Sequence, residues 1–96
     1  MKWHKRGPSG AFWEVAHWEA EEPFSCSSSM PRCCITERRP TAPARFAWVM
    51  GTEEGWAPTF DEAEGDIRMA MRRLHDDLRS WAATPREILD VSEEDE

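Results

Sequence analysis

Apolar side chains recur with a helical period between residues 59 and 83. At about 100° per residue, eight of them share an arc roughly 100° wide, as expected of a helix that packs one side against a core. Thr59, followed three residues later by Glu62, forms a capping box that marks the helix start. The pattern predicts one long helix. Its core positions are Phe60, Ala63, Ile67, Ala70, Met71, Leu74, Leu78 and Trp81.

Charged side chains occupy the opposite side of this predicted helix. Three oppositely charged pairs are spaced four residues apart, which is typical of a solvated helix surface. They are Glu64/Arg68, Arg72/Asp76 and Arg73/Asp77. We therefore interpret these charges as surface pairs and not as a basic binding stripe.

The first half of the chain carries short segments of aromatic and β-branched residues, which are typical of strands. Turn-forming residues separate the first two segments, and we expect a mobile loop over residues 21–31. Residues 51–58 are predicted to form a loop in which Gly55 supplies a positive φ. The predicted fold class is α+β, an antiparallel sheet of three or four strands packed against one long C-terminal helix. The predicted strands are 2–6, 11–20, 32–37 and 45–50.

A second start signal follows the predicted helix. Thr84, Pro85 and Glu87 have the spacing of an N-cap, a first-turn proline and a capping-box acid. They predict a short helical turn, and residues 92–96 are polar, acidic and expected to be flexible. We therefore predict a single ββββα domain over residues 1–83, with a helical turn and an acidic tail over residues 84–96.

Composition and charge narrow the classes of function. The chain has 96 residues and a formal net charge of −7. The first 50 residues carry a net +2 and the rest a net −9, which disfavours general nucleic-acid binding and favours a basic protein partner. With no apolar stretch long enough to span a membrane and no export signal, we expect a cytoplasmic location. Three cysteines without an export signal favour free thiols.

The sequence gives little support for a metal site or a catalytic site. Cys26, Cys33 and Cys34 lack the spacing of zinc knuckles, and adjacent cysteines in a strand point to opposite faces, so we expect one in the core and one at the surface. The acidic residues of the first helical turns are explained by the helix dipole, and no phosphate-binding or nucleophile motif occurs. We predict no metal, no cofactor and no enzymatic activity.

Six tryptophans and no tyrosine make the composition unusual. Tryptophan fills cores and is also enriched at interaction hot spots. Trp48 and either Trp13 or Trp18 can pack beneath the helix, but the strand places Trp13 and Trp18 on opposite faces. One of them should therefore lie on the uncovered face of the sheet, where it can bind another protein or a second copy of the chain.

One segment of the chain contains Trp48-Val49, then Gly55-x-Ala57-x-Thr59-x-Asp61-Glu62-Ala63, and then an amphipathic helix. This arrangement resembles small phage and mobile-element proteins that are built as a strand meander followed by one helix. These include phage-encoded inhibitors of host defence, among them anti-CRISPR proteins, and the resemblance implies a small, acidic, non-enzymatic inhibitor. The arrangement is also similar to the HicB-type antitoxin fold. The Pro-Gly-Cys element of that fold is replaced here by Glu54-Gly55-Trp56, so no antitoxin residue is carried over.

The resulting functional hypothesis is a protein-binding inhibitor of a nucleic-acid-handling defence complex. Carboxylates along a helix can occupy a basic groove, with an adjacent tryptophan as apolar anchor. The alternative is a HicB-like antitoxin or structural module that self-associates, in which Phe12, Ala16 and Trp18 would be buried between identical subunits. The candidate partner-binding residues are Glu53, Glu54, Trp56, Asp61, Glu62, Glu64, Asp66, Phe12 and Trp18.

Overall fold

The computed structural model describes residues 1–6, 13–22, 33–39, 44–74 and 78–90. Within these ranges the chain forms a six-stranded sheet and two helices. The strands are β1 (Lys2–Arg6), β2 (Glu14–Glu22), β3 (Cys33–Arg38), β4 (Phe46–Met50), β5 (Glu53–Ala57) and β6 (Glu87–Asp90). The helices are α1 (Phe60–Leu74) and α2 (Arg79–Ala83).

The strands lie in the order β5-β4-β3-β2-β1-β6. Consecutive strands from β1 to β5 pair antiparallel, whereas β6 pairs parallel to β1. The sheet is therefore mixed, and α1 packs across β3, β4 and β5 on one side, which we call the covered face. The α+β class is confirmed, but the prediction of a purely antiparallel sheet of three or four strands is wrong.

The fifth strand lies where a loop was predicted. Residues Glu53–Ala57 pair with β4 across the two-residue link Gly51-Thr52, and Gly51 has a positive φ of 66°. A two-residue hairpin link needs such a φ, which glycine adopts without steric cost. Gly55 serves another purpose. A Cβ atom there would lie 2.8 Å from Cζ2 of Trp48, so glycine lets this indole ring cross the strand.

The sixth strand replaces the predicted second helical turn. Trp3 lies opposite Ile88 in the parallel pairing, and the Glu87 amide donates a hydrogen bond of 2.8 Å to the carbonyl of Met1. Thr84 does not cap a new helix, because its hydroxyl donates to the Ser80 carbonyl. The strand ladder with β1 thus overrides the local capping signal.

Helix α1 begins as predicted. The Glu62 amide donates a hydrogen bond of 3.1 Å to the Thr59 hydroxyl, which confirms the N-cap. Ala63, Ile67, Ala70 and Met71 are buried, as the periodicity predicts.

The predicted single helix, however, is interrupted. Helix α1 ends at Leu74, α2 begins at Arg79, and residues 75–77 lie outside the described part. The predicted pairs Arg72/Asp76 and Arg73/Asp77 therefore also fall outside it. Leu74 is 42% exposed, so its assignment to the core was wrong.

Aromatic rings fill the core between α1 and the sheet. Trp3, Trp18 and Trp48 are all buried on the covered face. Phe60 meets Trp18 and Trp3 edge to face, with ring centroids 4.8 Å and 5.7 Å apart. Such aromatic pairs contribute beyond the area they bury. No helix of the described residues is long and apolar enough to cross a membrane.

Candidate partner-binding surface

The side of the sheet facing away from α1 is the open face, and no described helix or strand covers it. Ala47 and Trp56 pair across β4 and β5, and strand alternation directs both to this face, because their sequence neighbours Trp48 and Ala57 are buried on the other side. Trp56 is 51% exposed and Trp13 is 38% exposed. Exposed aromatic side chains on one face of a sheet make that face a candidate contact surface.

Trp13, Arg38 and Trp56 form what we call the tryptophan–arginine cluster. The Cζ atom of Arg38 lies 4.2 Å from the Trp13 ring centroid and 5.3 Å from the Trp56 ring centroid. Both distances are within the range of cation–π attraction. Backbone bonds hold the cluster in place, because the Arg39 amide donates to the Trp13 carbonyl and the Arg38 amide to the Arg45 carbonyl.

A concavity of about 490 Å³ adjoins this cluster. Arg38, Ala47, Glu54 and Trp56 line it, together with Trp48 and Gly55 of the strands beneath. The lining combines one cation, one carboxylate and an exposed indole. It is at the small end of the range for ligand pockets and can receive side chains of a partner.

Arg38 has an unusual polar environment. Its Nε atom is shielded from solvent and has no hydrogen-bond partner among the described residues. An unsatisfied buried N–H group costs about 1–3 kcal/mol in free energy of folding. The structure therefore presents a half-buried guanidinium that lies over two indole rings and whose Nε–H group is unpaired among the described residues.

The part of the open face on β1, β2 and β3 is different. The Arg6 Nε atom lies 3.2 Å from Oε1 of Glu19, and the Nε2 atom of His17 lies 3.1 Å from Oε2 of the same carboxylate. The Nδ1 atom of His17 is 2.9 Å from the Thr36 hydroxyl. These four side chains satisfy one another's hydrogen bonds and ion pairs.

The predicted acidic residues are not assembled into one surface. Glu64 is buried, with 7% of its surface exposed, and its Oε2 atom accepts a hydrogen bond of 2.9 Å from Nε1 of Trp3. Arg68 and Arg86 each lie 3.4 Å from a Glu64 carboxylate oxygen. Glu64 therefore joins β1 to α1 in the interior, and its interpretation as a surface contact residue was wrong.

Two more of these acids already have partners. Glu53 accepts a hydrogen bond from Arg73, which raises the pKa of that guanidinium, and Asp61 accepts one from Arg86. Because these exposed pairs are solvated, each contributes little to stability and can be exchanged for a partner's charge. The remaining acids are Glu54 and Glu62, both exposed, and Asp66, which is half-buried.

Only Glu54 of these acids shares a face with Trp56, and the two lie together on β5. Asp61, Glu62 and Asp66 lie on α1, on the other layer of the molecule. Trp18 is buried, so it cannot serve as a contact residue on the open face. Phe12 lies outside the described residues.

The described cysteines are divided between core and surface, as predicted. Cys33 is buried and Cys34 half-buried, and burial raises the pKa of the Cys33 thiol, with smaller contributions from Cys34 and Glu64. A thiol with a raised pKa is a poor nucleophile. The described residues contain no group of three or more His, Cys, Asp or Glu side chains able to hold a metal. Cys26 lies outside them, and the absence of a metal remains a prediction.

Two members of the cluster, Trp13 and Arg38, were not among the predicted site residues. Trp13 was considered only as an alternative to Trp18. Arg38 was assigned to a link after the third strand, whereas it is the last residue of β3. The register places Glu14 opposite Arg38, with a shift between Glu14 and Ala16, and sequence periodicity does not reveal such a shift.

Comparisons of the chain with protein-family models, curated proteins and solved structures found no match.

Proposed function

We propose that this protein is a non-enzymatic, protein-binding inhibitor whose contact surface is the tryptophan–arginine cluster on the open face. The observation that carries this proposal is the exposed stack in which Arg38 lies against the rings of Trp13 and Trp56. Tryptophan and arginine are the residues most enriched among those that dominate binding energy at protein interfaces. The stack also limits their conformational freedom, which reduces the entropy lost on binding.

The proposed partner is a nucleic-acid-handling complex of a host defence system, the class implied by the resemblance to phage-encoded inhibitors. Glu54 supports a basic partner surface, because it is exposed beside Trp56 in the concavity. Opposite charges across an interface accelerate association and set its orientation, even where they add little affinity.

Self-association, as in a HicB-like antitoxin, is the second candidate. The same exposed cluster could be buried in a twofold interface between identical subunits. The residues first assigned to that interface cannot form it, because Ala16 and Trp18 are buried beneath α1. Light scattering separates the two candidates. A monomer at high micromolar concentration favours the inhibitor, and a dimer lost in Trp56→Ala favours self-association.

The decisive experiment captures partners from a bacterial host lysate, identifies them by mass spectrometry, and measures the affinity of each purified partner. Trp13→Ala and Trp56→Ala should each weaken binding by roughly 30-fold, as expected for an interface hot spot. Met69→Ala is the matched control, because Met69 is 55% exposed on α1. All three variants should retain the wild-type circular dichroism spectrum and melting curve.

Charge reversals then identify which layer makes the contact. Glu54→Lys on the open face should slow association, and the affinity of the wild type should fall as salt rises. Glu62→Lys on α1 is its matched control. If Glu62→Lys abolishes binding while Trp13→Ala and Trp56→Ala do not affect it, the acidic side of α1 is the contact surface and our assignment is wrong.

A further inference from the structure

The geometry of Arg38 restricts what it can bind. Trp13 and Trp56 lie against the guanidinium group at 4.2 Å and 5.3 Å from their ring centroids. A guanidinium over aromatic rings can still donate from the N–H groups at its edge, and because Nε is shielded from solvent, an incoming acceptor would meet the terminal Nη groups. A planar acceptor with two oxygens fits that edge best, because it can accept two parallel hydrogen bonds.

Other arginines in the described part of the chain already have a carboxylate. The pairs are Arg6 with Glu19, Arg45 with Glu37, Arg68 with Glu64, Arg73 with Glu53, and Arg86 with Asp61. Arg38 has no ion pair among the described residues, although it is half-buried and its Nε atom is shielded without a partner. Arg72 and Arg79 are also without a described ion pair, but both are exposed and hydrated by solvent.

We infer that Arg38 is the receptor for a carboxylate side chain of the bound partner, with an apolar neighbour of that side chain packing on Trp56 and Ala47. This inference rests on the proposed function and specifies the chemistry of its contact surface. The carboxylate would accept hydrogen bonds from the terminal Nη groups of Arg38, and the concavity of about 490 Å³ would receive the apolar neighbour.

A carboxylate fits this surface better than a nucleic-acid strand. The chain carries a net charge of −7, and Glu54 lines the same concavity. A single carboxylate introduces one negative charge beside Glu54, whereas a strand introduces one with every nucleotide and is repelled more strongly. The partner segment is therefore a peptide with one acidic residue among apolar residues, presented by a protein whose wider surface is basic.

Three peptides that differ at one position test this inference. They are Ac-Gly-Leu-Glu-Leu-Gly-NH2 and its counterparts with Gln or Lys at the centre. Binding is followed by the indole N–H resonances of Trp13 and Trp56 in nitrogen–proton correlation spectra of the full chain. The Glu peptide should shift both resonances saturably at millimolar concentration, and the Gln peptide should bind about tenfold more weakly.

Variants of the chain supply a second test. Arg38→Gln should abolish the preference for the Glu peptide, whereas Glu54→Gln should strengthen its binding about twofold by removing a repulsive charge. Arg6→Gln is the matched control, because Arg6 is an exposed arginine of the same open face that already pairs with Glu19. Its preference for the Glu peptide should equal that of the wild type.

Three results would overturn the inference: no saturable shift with the Glu peptide, tighter binding of the Lys peptide, or tighter binding of a short oligothymidylate. These outcomes are distinct from failure of the proposed function. If Trp13→Ala and Trp56→Ala weaken binding of the captured partner but the peptides show no preference for Glu, the contact surface stands and its carboxylate chemistry is wrong. If neither the binding of the captured partner nor the binding of the peptides depends on the tryptophan–arginine cluster, the proposed function itself fails.

Discussion

The two faces of the sheet use the same residue type for opposite purposes. On the covered face, Trp3 and Trp18 are at most 9% exposed and pack against the Phe60 ring. On the open face, Trp13 and Trp56 are 38% and 51% exposed, and their shared neighbour is the Arg38 guanidinium. Burial against apolar rings contributes to stability, whereas exposure beside a cation leaves the indoles available for binding.

The largest expected difference between the faces is in stability. Trp18→Ala should lower the free energy of unfolding by about 3–5 kcal/mol, because it removes a large side chain from a packed core. Trp56→Ala should lower it by less than about 1 kcal/mol, since the exposed ring loses few contacts on unfolding. Urea unfolding of both variants measures this difference. Equal losses would show that the open face is packed as tightly as the covered one.

The next largest effect concerns Glu64, the one buried carboxylate in the part of the chain that the structure describes. Glu64→Ala should cost about 3 kcal/mol, because it leaves the Trp3 indole N–H unpaired and removes a partner from Arg68 and Arg86. Glu64→Gln should cost about 1 kcal/mol, since the amide oxygen can still accept from Trp3.

A double-mutant cycle with Trp3→Phe isolates this hydrogen bond. We expect a coupling free energy of about 1–2 kcal/mol between Trp3 and Glu64 in urea unfolding. Strict additivity of the two substitutions would contradict the hydrogen bond as a source of stability.

A pair of glycines gives a smaller effect with opposite signs. Gly55→Ala should lower the free energy of unfolding by about 1–3 kcal/mol, because the added Cβ atom would lie 2.8 Å from the Trp48 ring. Trp48 is only 7% exposed, so its ring has little room to move. Gly65→Ala should raise the free energy of unfolding by about 0.5–1 kcal/mol. Gly65 lies in the middle of α1, and no atom lies within 4 Å of the added Cβ. Thermal unfolding of both variants tests this, and stabilisation by Gly55→Ala would place the Trp48 ring elsewhere.

The last effect is absent at neutral pH and appears only at alkaline pH. Burial raises the pKa of the Cys33 thiol, so the folded state holds this proton more tightly than the unfolded state does. The thiol makes its full contribution to the free energy of unfolding below its pKa in the unfolded state, which is about 8.5. Above that pH the contribution is lost by about 1.4 kcal/mol per pH unit. The chain has no tyrosine to titrate in this range.

Cys33→Ala provides the comparison. Urea unfolding between about pH 8 and pH 10 should show a steeper loss of stability in the wild type than in this variant. The slopes are compared and not the absolute values, because the substitution also leaves a small cavity. Identical slopes would mean that Cys33 is not buried as described.

Features that depend on neighbouring residues were predictable from the sequence. Ala63, Ile67, Ala70 and Met71 repeat with the period of a helix, and the Thr59 cap marks its start, so α1 and its buried side followed from local chemistry. The first four strands followed from their aromatic and β-branched composition; β1 has the predicted bounds, and the bounds of the other three differ by at most three residues. These signals are strong because each lies within one turn or one strand of the residue it determines.

Tertiary structure decided the features that depend on pairing between distant segments. Residues 84–87 carried a helix-start signal, but residues 87–90 form a strand, because pairing with β1 places Ile88 beside Trp3 and satisfies the backbone of both strands. Glu64 looked like a surface acid until folding brought Trp3 to it across 61 residues. Trp13, Arg38 and Trp56 come from three strands or their ends, and only the register and twist of the sheet bring them together. Periodicity can determine which side of an element is buried, but the identity of a side chain's neighbours depends on sheet register, which local sequence does not encode.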